Sequence, residues 1–209
     1  MIALTLDDGP NNTVSVQVLD ALEKHGVVAT YFSIGINIER GGQEAEAVMK
    51  RAFGLGCEFG NHSWDYSSLG TRFEYEDIVD SINKTSDKIA EVLGEDARPK
   101  YFRAPNLSMN DRLTEIVTGM GLPFMEGLTG NDWSDDSPEQ IFENIVPNVK
   151  DGTIILLHDG NTNQNTGEAM DSIIAALLED GYQFVTLTQL FESKGVTPVP
   201  GERYGRVDN

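Results

Sequence analysis

Short apolar runs rich in β-branched residues alternate along the chain with longer stretches whose apolar positions recur every three or four residues. The first kind suits strands buried on both faces and the second suits amphipathic helices. Their alternation is the pattern of parallel strands joined by helical crossovers. About seven strands are predicted on this basis: Ile2–Leu6, Val27–Ile34, Cys57–His62, Tyr101–Arg103, Pro123–Leu128, Thr153–His158 and Phe184–Leu187. Helices are predicted over Val14–Lys24, Gln43–Gly54, Tyr75–Leu93, Asp111–Met120, Pro138–Val149 and Glu168–Glu179. Helix ends carry their own signals, with Gly26 after Lys24-His25, Gly94 after Val92-Leu93, and Ser137 before Pro138 at a first helical position. The fold class expected is α/β, a distorted and incomplete (β/α) barrel with about seven parallel strands, with an open doubly wound sheet as the alternative. The run from Gly195 to Asn209 carries two Pro and three Gly and reads as a surface strap or a frayed end.

Polar residues cluster just past the predicted strands. Asp7-Asp8-Gly9-Pro10 follows the first, Asn61-His62-Ser63-Trp64 the third, Arg103-Ala104-Pro105-Asn106 the fourth, Asn131-Asp132-Trp133 the fifth and His158-Asp159-Gly160 the sixth. The carboxyl ends of parallel strands share one face in barrels and in open α/β sheets, and that face holds the active site. Five distant segments are thus expected to converge on one pocket.

Each cluster also has a plainer reading. Asp-Asp-Gly-Pro is good turn chemistry, and a lone His62 is more often a satisfied histidine than a ligand. His25 beside Lys24 at a helix end complements the helix dipole. Against this, two adjacent carboxylates after a buried strand are costly unless a cation compensates them. His158 closes the run Ile154-Ile155-Leu156-Leu157, where a titratable ring is expensive without a use. A strand ending in Asp also suggests phosphoryl transfer of the haloacid-dehalogenase kind. Those enzymes space two aspartates one residue apart, however, while Asp7 and Asp8 are adjacent and Pro10 stands where a Thr would help.

Composition narrows the classes. The 209 residues fit one domain, so residues 1–209 are expected to form a single catalytic domain. No apolar run approaches the roughly 20 residues of a membrane span. With 15 Lys plus Arg against 34 Asp plus Glu, the formal net charge is −19, a field that repels phosphate backbones and anionic lipid. Nucleic acid and membrane surfaces are therefore poor partners. Cys57, the single cysteine, forms no intrachain disulfide and leaves the compartment open. Met1-Ile2-Ala3-Leu4-Thr5-Leu6 lacks the basic and long apolar regions of a signal peptide, which fits a cytosolic chain or a module of a longer secreted protein.

In order, Thr5-Leu6-Asp7-Asp8-Gly9-Pro10, His62-Ser63-Trp64, Arg103-Ala104-Pro105, Asp132-Trp133 and Leu156-Leu157-His158 resemble the five motifs of the polysaccharide deacetylases grouped as carbohydrate esterase family four. The resemblance runs over about residues 2 to 190, and His62-Ser63-Trp64-Asp65-Tyr66 is most similar to the acetylxylan esterase branch. It implies a distorted (β/α) barrel, one divalent metal ion (zinc or cobalt), and removal of acetyl groups from xylan, chitin or peptidoglycan. It also implies an extracellular module of a secreted protein. Carried over by residue, it makes Asp7 the general base, Asp8 and His62 metal ligands, and His158 the general acid. Arg103 becomes the partner that orients the base, and Asp132 the acid paired with His158. Trp133 and Leu156 become apolar walls around the acetyl methyl, and the Asn106 backbone N–H the oxyanion donor.

Two departures bear on the expectation. The family places a second histidine four residues after the first, where this chain has Tyr66, a phenol and a poor neutral ligand. Asp65 or water is left to fill the position. Ala104 and Asn106 stand where the family carries aromatics, which widens the cleft. The function expected is release of O-acetyl groups from an acetylated polysaccharide, xylan first. N-acetylglucosamine deacetylation of chitin or peptidoglycan is the alternative, and a sugar-binding barrel without chemistry is the alternative of another class.

Overall fold

The two most apolar predicted strands lie side by side at the centre of the sheet. The computed structural model describes residues 1–67, 74–134 and 136–208. In chain order the elements are β1 (Ala3–Asp7), α1 (Val14–His25), β2 (Thr30–Ser33), α2 (Gly35–Gly54), β3 (Glu58–Asn61), α3 (Tyr75–Leu93), α4 (Asp111–Gly119), β4 (Phe124–Met125), β5 (Leu128–Thr129), α5 (Pro138–Ile145), β6 (Ile154–His158), α6 (Gln164–Glu179), α7 (Leu187–Lys194) and β7 (Arg203–Tyr204). The main sheet runs β3-β2-β1-β6-β5, and its recorded pairings are all parallel. β1 is buried along its whole length and pairs with β6 from Ala3↔Ile154 to Asp7↔His158. Leu4, Leu6, Ile155 and Leu157 join Leu19 and Leu22 of α1 and Ile173, Ile174 and Leu177 of α6 in the largest core cluster. Each such side chain contributes about 1.5–3 kcal/mol by leaving water.

The sheet bends toward a ring that its regular ladders do not complete. From β3 the pairing continues only through single bridges, Asn61↔Phe102 and Phe102↔Phe124. The segment predicted as one strand, Pro123–Leu128, is broken at Glu126-Gly127. Its first half, β4, faces Phe102, and its second half, β5, pairs with β6. This is the distorted, incomplete (β/α) barrel, and it matches the solved structures described below.

Several predicted boundaries move. The second strand loses Val27–Ala29, and α2 begins at Gly35 with a kink at Gly42 (φ 52°, ψ −134°). The predicted strand Phe184–Leu187 reduces to one bridge, Ile2↔Phe184, because the Thr186 hydroxyl accepts from the Gln189 N–H and starts α7 instead. The tail is a docked strap rather than a frayed end: β7 pairs with β4, and Val207 is buried against Phe191 and Leu190. The helix ends read from sequence are present, with Gly26 in the left-handed conformation after α1 and a Ser137–Gln140 capping box on α5. No helix among the described residues is long and apolar enough to cross a membrane.

Candidate active site

Because the strands are parallel, the loops after β1, β3, Phe102, β5 and β6 emerge on one face. Asp8 (φ 81°), Ser63 (67°), Asn106 (56°), Leu107 (50°) and Asn131 (57°) are the non-glycine residues with positive φ among those described, and all lie in these loops. Such conformations cost about 1–3 kcal/mol each and persist where surrounding bonds over-determine them. The loops enclose a cavity of about 590 Å³ lined by Asp7, Asp8, His62, Tyr66, Ala104, Asn106, Asp132, Trp133, Leu156 and His158, among others. Every site residue anticipated from sequence except Arg103 lines it, and Arg103 lies directly behind Asp7.

Arg103 is fully buried, and its Nη1 donates to Asp7 Oδ1 (2.6 Å) and Thr5 Oγ1 (2.8 Å). Its Nε donates to the Met125 carbonyl (3.1 Å) and its Nη2 to the Glu126 carbonyl (3.0 Å), while the Phe32 ring lies 4.1 Å beneath the guanidinium. Burial lowers the Arg103 pKa against the pull of Asp7, yet the bond set fixes the fork and hence the Asp7 carboxylate.

His62 Nδ1 lies 2.8 Å from the Arg103 carbonyl, which can only accept, so Nδ1 carries the hydrogen. Nε2 then faces Asp8 Oδ1 at 3.5 Å and Asp7 Oδ2 at 3.7 Å. Burial disfavours the charged ring, but the carboxylates of Asp7 and Asp8 outweigh it and raise the His62 pKa. A ring fixed at Nδ1 with Nε2 beside a carboxylate is the donor chemistry that suits a divalent cation, so Asp8 and His62 fit one. The set is short, since no group of three His, Cys, Asp or Glu is arranged to hold an ion among the described residues. Asp65 does not complete it, as its carboxylate turns to the Ser67 N–H (2.9 Å). The Tyr66 hydroxyl accepts from Asn37 Nδ2 (2.8 Å), which also holds the Asp8 carbonyl. Burial, aided by Asp8, raises the Tyr66 pKa and keeps the phenol protonated.

On the other side, Asp132 Oδ1 accepts from His158 Nδ1 (2.9 Å), and its Oδ2 from the His158 backbone N–H (2.6 Å) and Thr166 Oγ1 (2.7 Å). Burial works against the charged imidazole, but the bond and charge of Asp132 prevail and push its pKa up to about 9. With Nδ1–H committed to Asp132, Nε2–H is the transferable proton. Trp133, more than half exposed, meets the His158 ring edge to face with centroids 5.9 Å apart.

The sequence reading gave no role to the residues behind this face. Thr5, Ser15, Thr166 and Asp159 are buried and bonded to the site's frame. Asp159 is pushed up to about 7 by burial. Threonines and serines inside regular elements give no local signal, and Asp159 reads as part of a turn after His158.

An oriented carboxylate and a proton-bearing imidazole at one cavity, with a cation-suited pair between strands, form the kind of site that hydrolyses an acyl bond. The chain belongs to the polysaccharide deacetylase family, whose model matches residues 1–125. It is 40% identical over 199 residues to a bifunctional xylanase/deacetylase of Pseudobutyrivibrio xylanivorans, covering 95% of this chain and 31% of that protein. A peptidoglycan-N-acetylmuramic acid deacetylase of Bacillus subtilis is 34% identical over 93% of this chain and 39% of its own length. The chain thus spans about a third of the length of these two relatives. Among solved structures, a family 4 acetyl xylan esterase from Clostridium thermocellum, in complex with a cobalt ion, superposes with TM-score 0.90 at 40% identity, covering 99% of this chain and 98% of that one. The CE4 domain of a multidomain xylanase from a Trinervitermes trinervoides hindgut metagenome gives 0.91 at 36% identity, covering 98% and 96%.

Proposed function

We propose that this chain is the catalytic module of a secreted, metal-dependent carbohydrate esterase that removes O-acetyl groups from xylan. The observation that carries it is the pair of buried braces meeting at one cavity, Arg103 on Asp7 and Asp132 on His158. The similarity to acetyl xylan esterase and xylanase-linked domains supports xylan as the polymer, and the length of the relatives supports a module of a larger protein.

Asp8 and His62 would hold a divalent ion, zinc or cobalt, which when bound supplies Lewis acidity toward the carbonyl. Asp7 takes a proton from the attacking water as its oxygen adds to the acetyl carbon. The Asn106 N–H donates to the oxyanion that forms, and Leu156 and Trp133 wall the methyl group. As the bond between the carbonyl carbon and the sugar oxygen breaks, His158 Nε2 gives its proton to that oxygen and acetate leaves. His158 carries this proton at neutral pH because its pKa lies near 9.

The short ligand set favours esters over amides. Expelling an amine from a resonance-stabilised N-acetyl group asks more of the cation and of His158 than expelling an alcohol. The net charge of −19 also suits a polymer of low charge. The relation to peptidoglycan deacetylases supports N-acetyl sugars as the second reading. Comparing kcat/KM on acetylated xylo-oligosaccharides and on N-acetylglucosamine oligomers of similar length, with and without chelator, decides between them. Faster, chelator-sensitive ester cleavage is expected, and equal or better turnover of the amide would overturn the xylan reading.

A further inference from the structure

The dipeptide that ends β6 sends its two side chains to different places. His158 enters the cavity, while Asp159 turns beneath the loop that follows β1 and is fully buried there. Its backbone N–H donates to the Asp7 carbonyl at 2.9 Å. Its Oδ1 accepts from the Gly9 N–H at 3.0 Å, and its Oδ2 from the Ser15 hydroxyl. Its carbonyl accepts from Asn11 Nδ2, and Asn11 Oδ1 in turn caps the N–H groups of Thr13 (3.0 Å) and Ser15 (3.3 Å). The chain from Asp7 to Ser15 is therefore wrapped around this one residue. A Cβ at Gly9 would collide with the Asp159 carboxylate, so the close approach is built in from both partners.

Between these contacts lies Asp8, an aspartate at φ 81°. The peptide that follows it is held at the Asp8 carbonyl by Asn37 Nδ2 (2.7 Å) and at the Gly9 N–H by Asp159, and the peptide that precedes it is held at the Asp7 carbonyl by the Asp159 N–H and at the Asp8 N–H by the Phe32 carbonyl (3.3 Å). An aspartate in the left-handed region needs such restraint on both flanking peptides to keep one conformation. Released, the peptide can relax, and the carboxylate swings away from His62 Nε2.

We propose that Asp159 is a positioning residue for the reaction, a reading that rests on the function proposed above. Its carboxylate locks the turn after β1 so that Asp8 stays opposite His62 and Asp7 stays in register with His158. It touches neither substrate nor ion, and acts through Gly9 and Ser15.

The test compares Asp159→Ala, Asp159→Asn and Ser15→Ala with the wild-type chain. It measures cobalt affinity by titration calorimetry, kcat and KM on acetylated xylo-oligosaccharides, and the melting temperature. Asp159→Ala is expected to weaken cobalt binding and to lower kcat, each by about tenfold or more, with KM little changed. Asp159→Asn recovers most of both, because the amide oxygen still accepts from Gly9 and its NH2 can donate to Ser15. Ser15→Ala falls between wild type and Asp159→Ala. A purely structural role would lower the melting temperature and leave the cobalt affinity and kcat of the folded enzyme unchanged, which overturns the proposal. If Asp159→Ala does not fold, Ser15→Ala decides: unchanged affinity and kcat there overturn it as well. A wild type that binds cobalt but releases no acetate overturns the functional reading alone, with the cobalt affinities still deciding on Asp159. A wild type that binds no cobalt overturns both.

Discussion

On the His158 side of the cavity, the Asp132 carboxylate takes bonds from the His158 ring, the His158 backbone and Thr166, and its side chain is fully buried. On the Asp8 side, the carboxylate is 19% exposed, and the next side chain outward, Tyr66, is half exposed and bonded to Asn37. In the reaction proposed above, the partners of proton transfer are thus fixed in the fold before anything binds. The proposed cation site has two strong side-chain donors and an open edge toward solvent. Preorganised proton donors act without reorganisation at the moment of reaction, whereas a site with few protein ligands loses its ion easily.

The comparison breaks most sharply on the proton side. Asp7→Ala and His158→Ala are each expected to lower kcat by about 10²-fold or more with the fold retained, measured by acetate release with added metal and by circular dichroism. Near-native turnover in either would remove that residue from its assigned role.

Asp132→Asn tests the brace itself. Burial opposes the His158 charge and Asp132 raises it, so removing the carboxylate's charge lowers the His158 pKa from about 9. Loss of kcat on the alkaline side is then expected to begin at lower pH than in the wild type. Stability follows the same sign. A folded pKa raised above the ordinary 6.5 gives stabilisation that is complete below that value and fades as pH rises through about 9. Urea unfolding from about pH 6 to about pH 10 shows this fade in the wild type and a smaller one in Asp132→Asn. An unmoved alkaline limb would mean that another group sets it.

The smallest effect sharpens the cation side. Tyr66→His supplies an imidazole where the phenol now stands and is expected to tighten cobalt binding in calorimetry, with the proton chemistry unaltered. A wild-type affinity already equal to that of the variant would mean that the chain provides a further donor.

The sequence was most legible where burial and chemistry coincide. β1 and β6 are buried, largely apolar runs ending in Asp7 and His158, so both the strand and the group it presents could be read together. Legibility fell where one apolar run served two purposes. Phe184–Leu187 is apolar enough for a strand, but Thr186 and Gln189 form a capping box, and that pair was the signal that a helix begins there. Pro123–Leu128 contains Gly127, where a Cβ would meet the Ile154 carbonyl and the Leu156 side chain, and there the strand breaks into two halves with different neighbours. Within the site, most cavity-facing residues were recoverable because they lie at or just past the end of a strand. Asp159 and Thr166 were not, because their partners lie far away in the chain and no spacing records them.

The docked tail bears on where the module ends. Its composition from Gly195 onward reads as a surface strap or a frayed end, yet the carbonyls of Glu202 and Tyr204 accept the N–H groups of Phe124 and Glu126 at 2.8 Å. The next carbonyls along that stretch, of Met125 and Glu126, hold Arg103, which holds Asp7. A boundary drawn at the last helix would leave the visible cavity lining intact and take away the outermost link of the chain of bonds that holds Asp7. For excision, fusion or grafting of this domain, the functional unit therefore extends at least to Val207, well past the point where the helices stop.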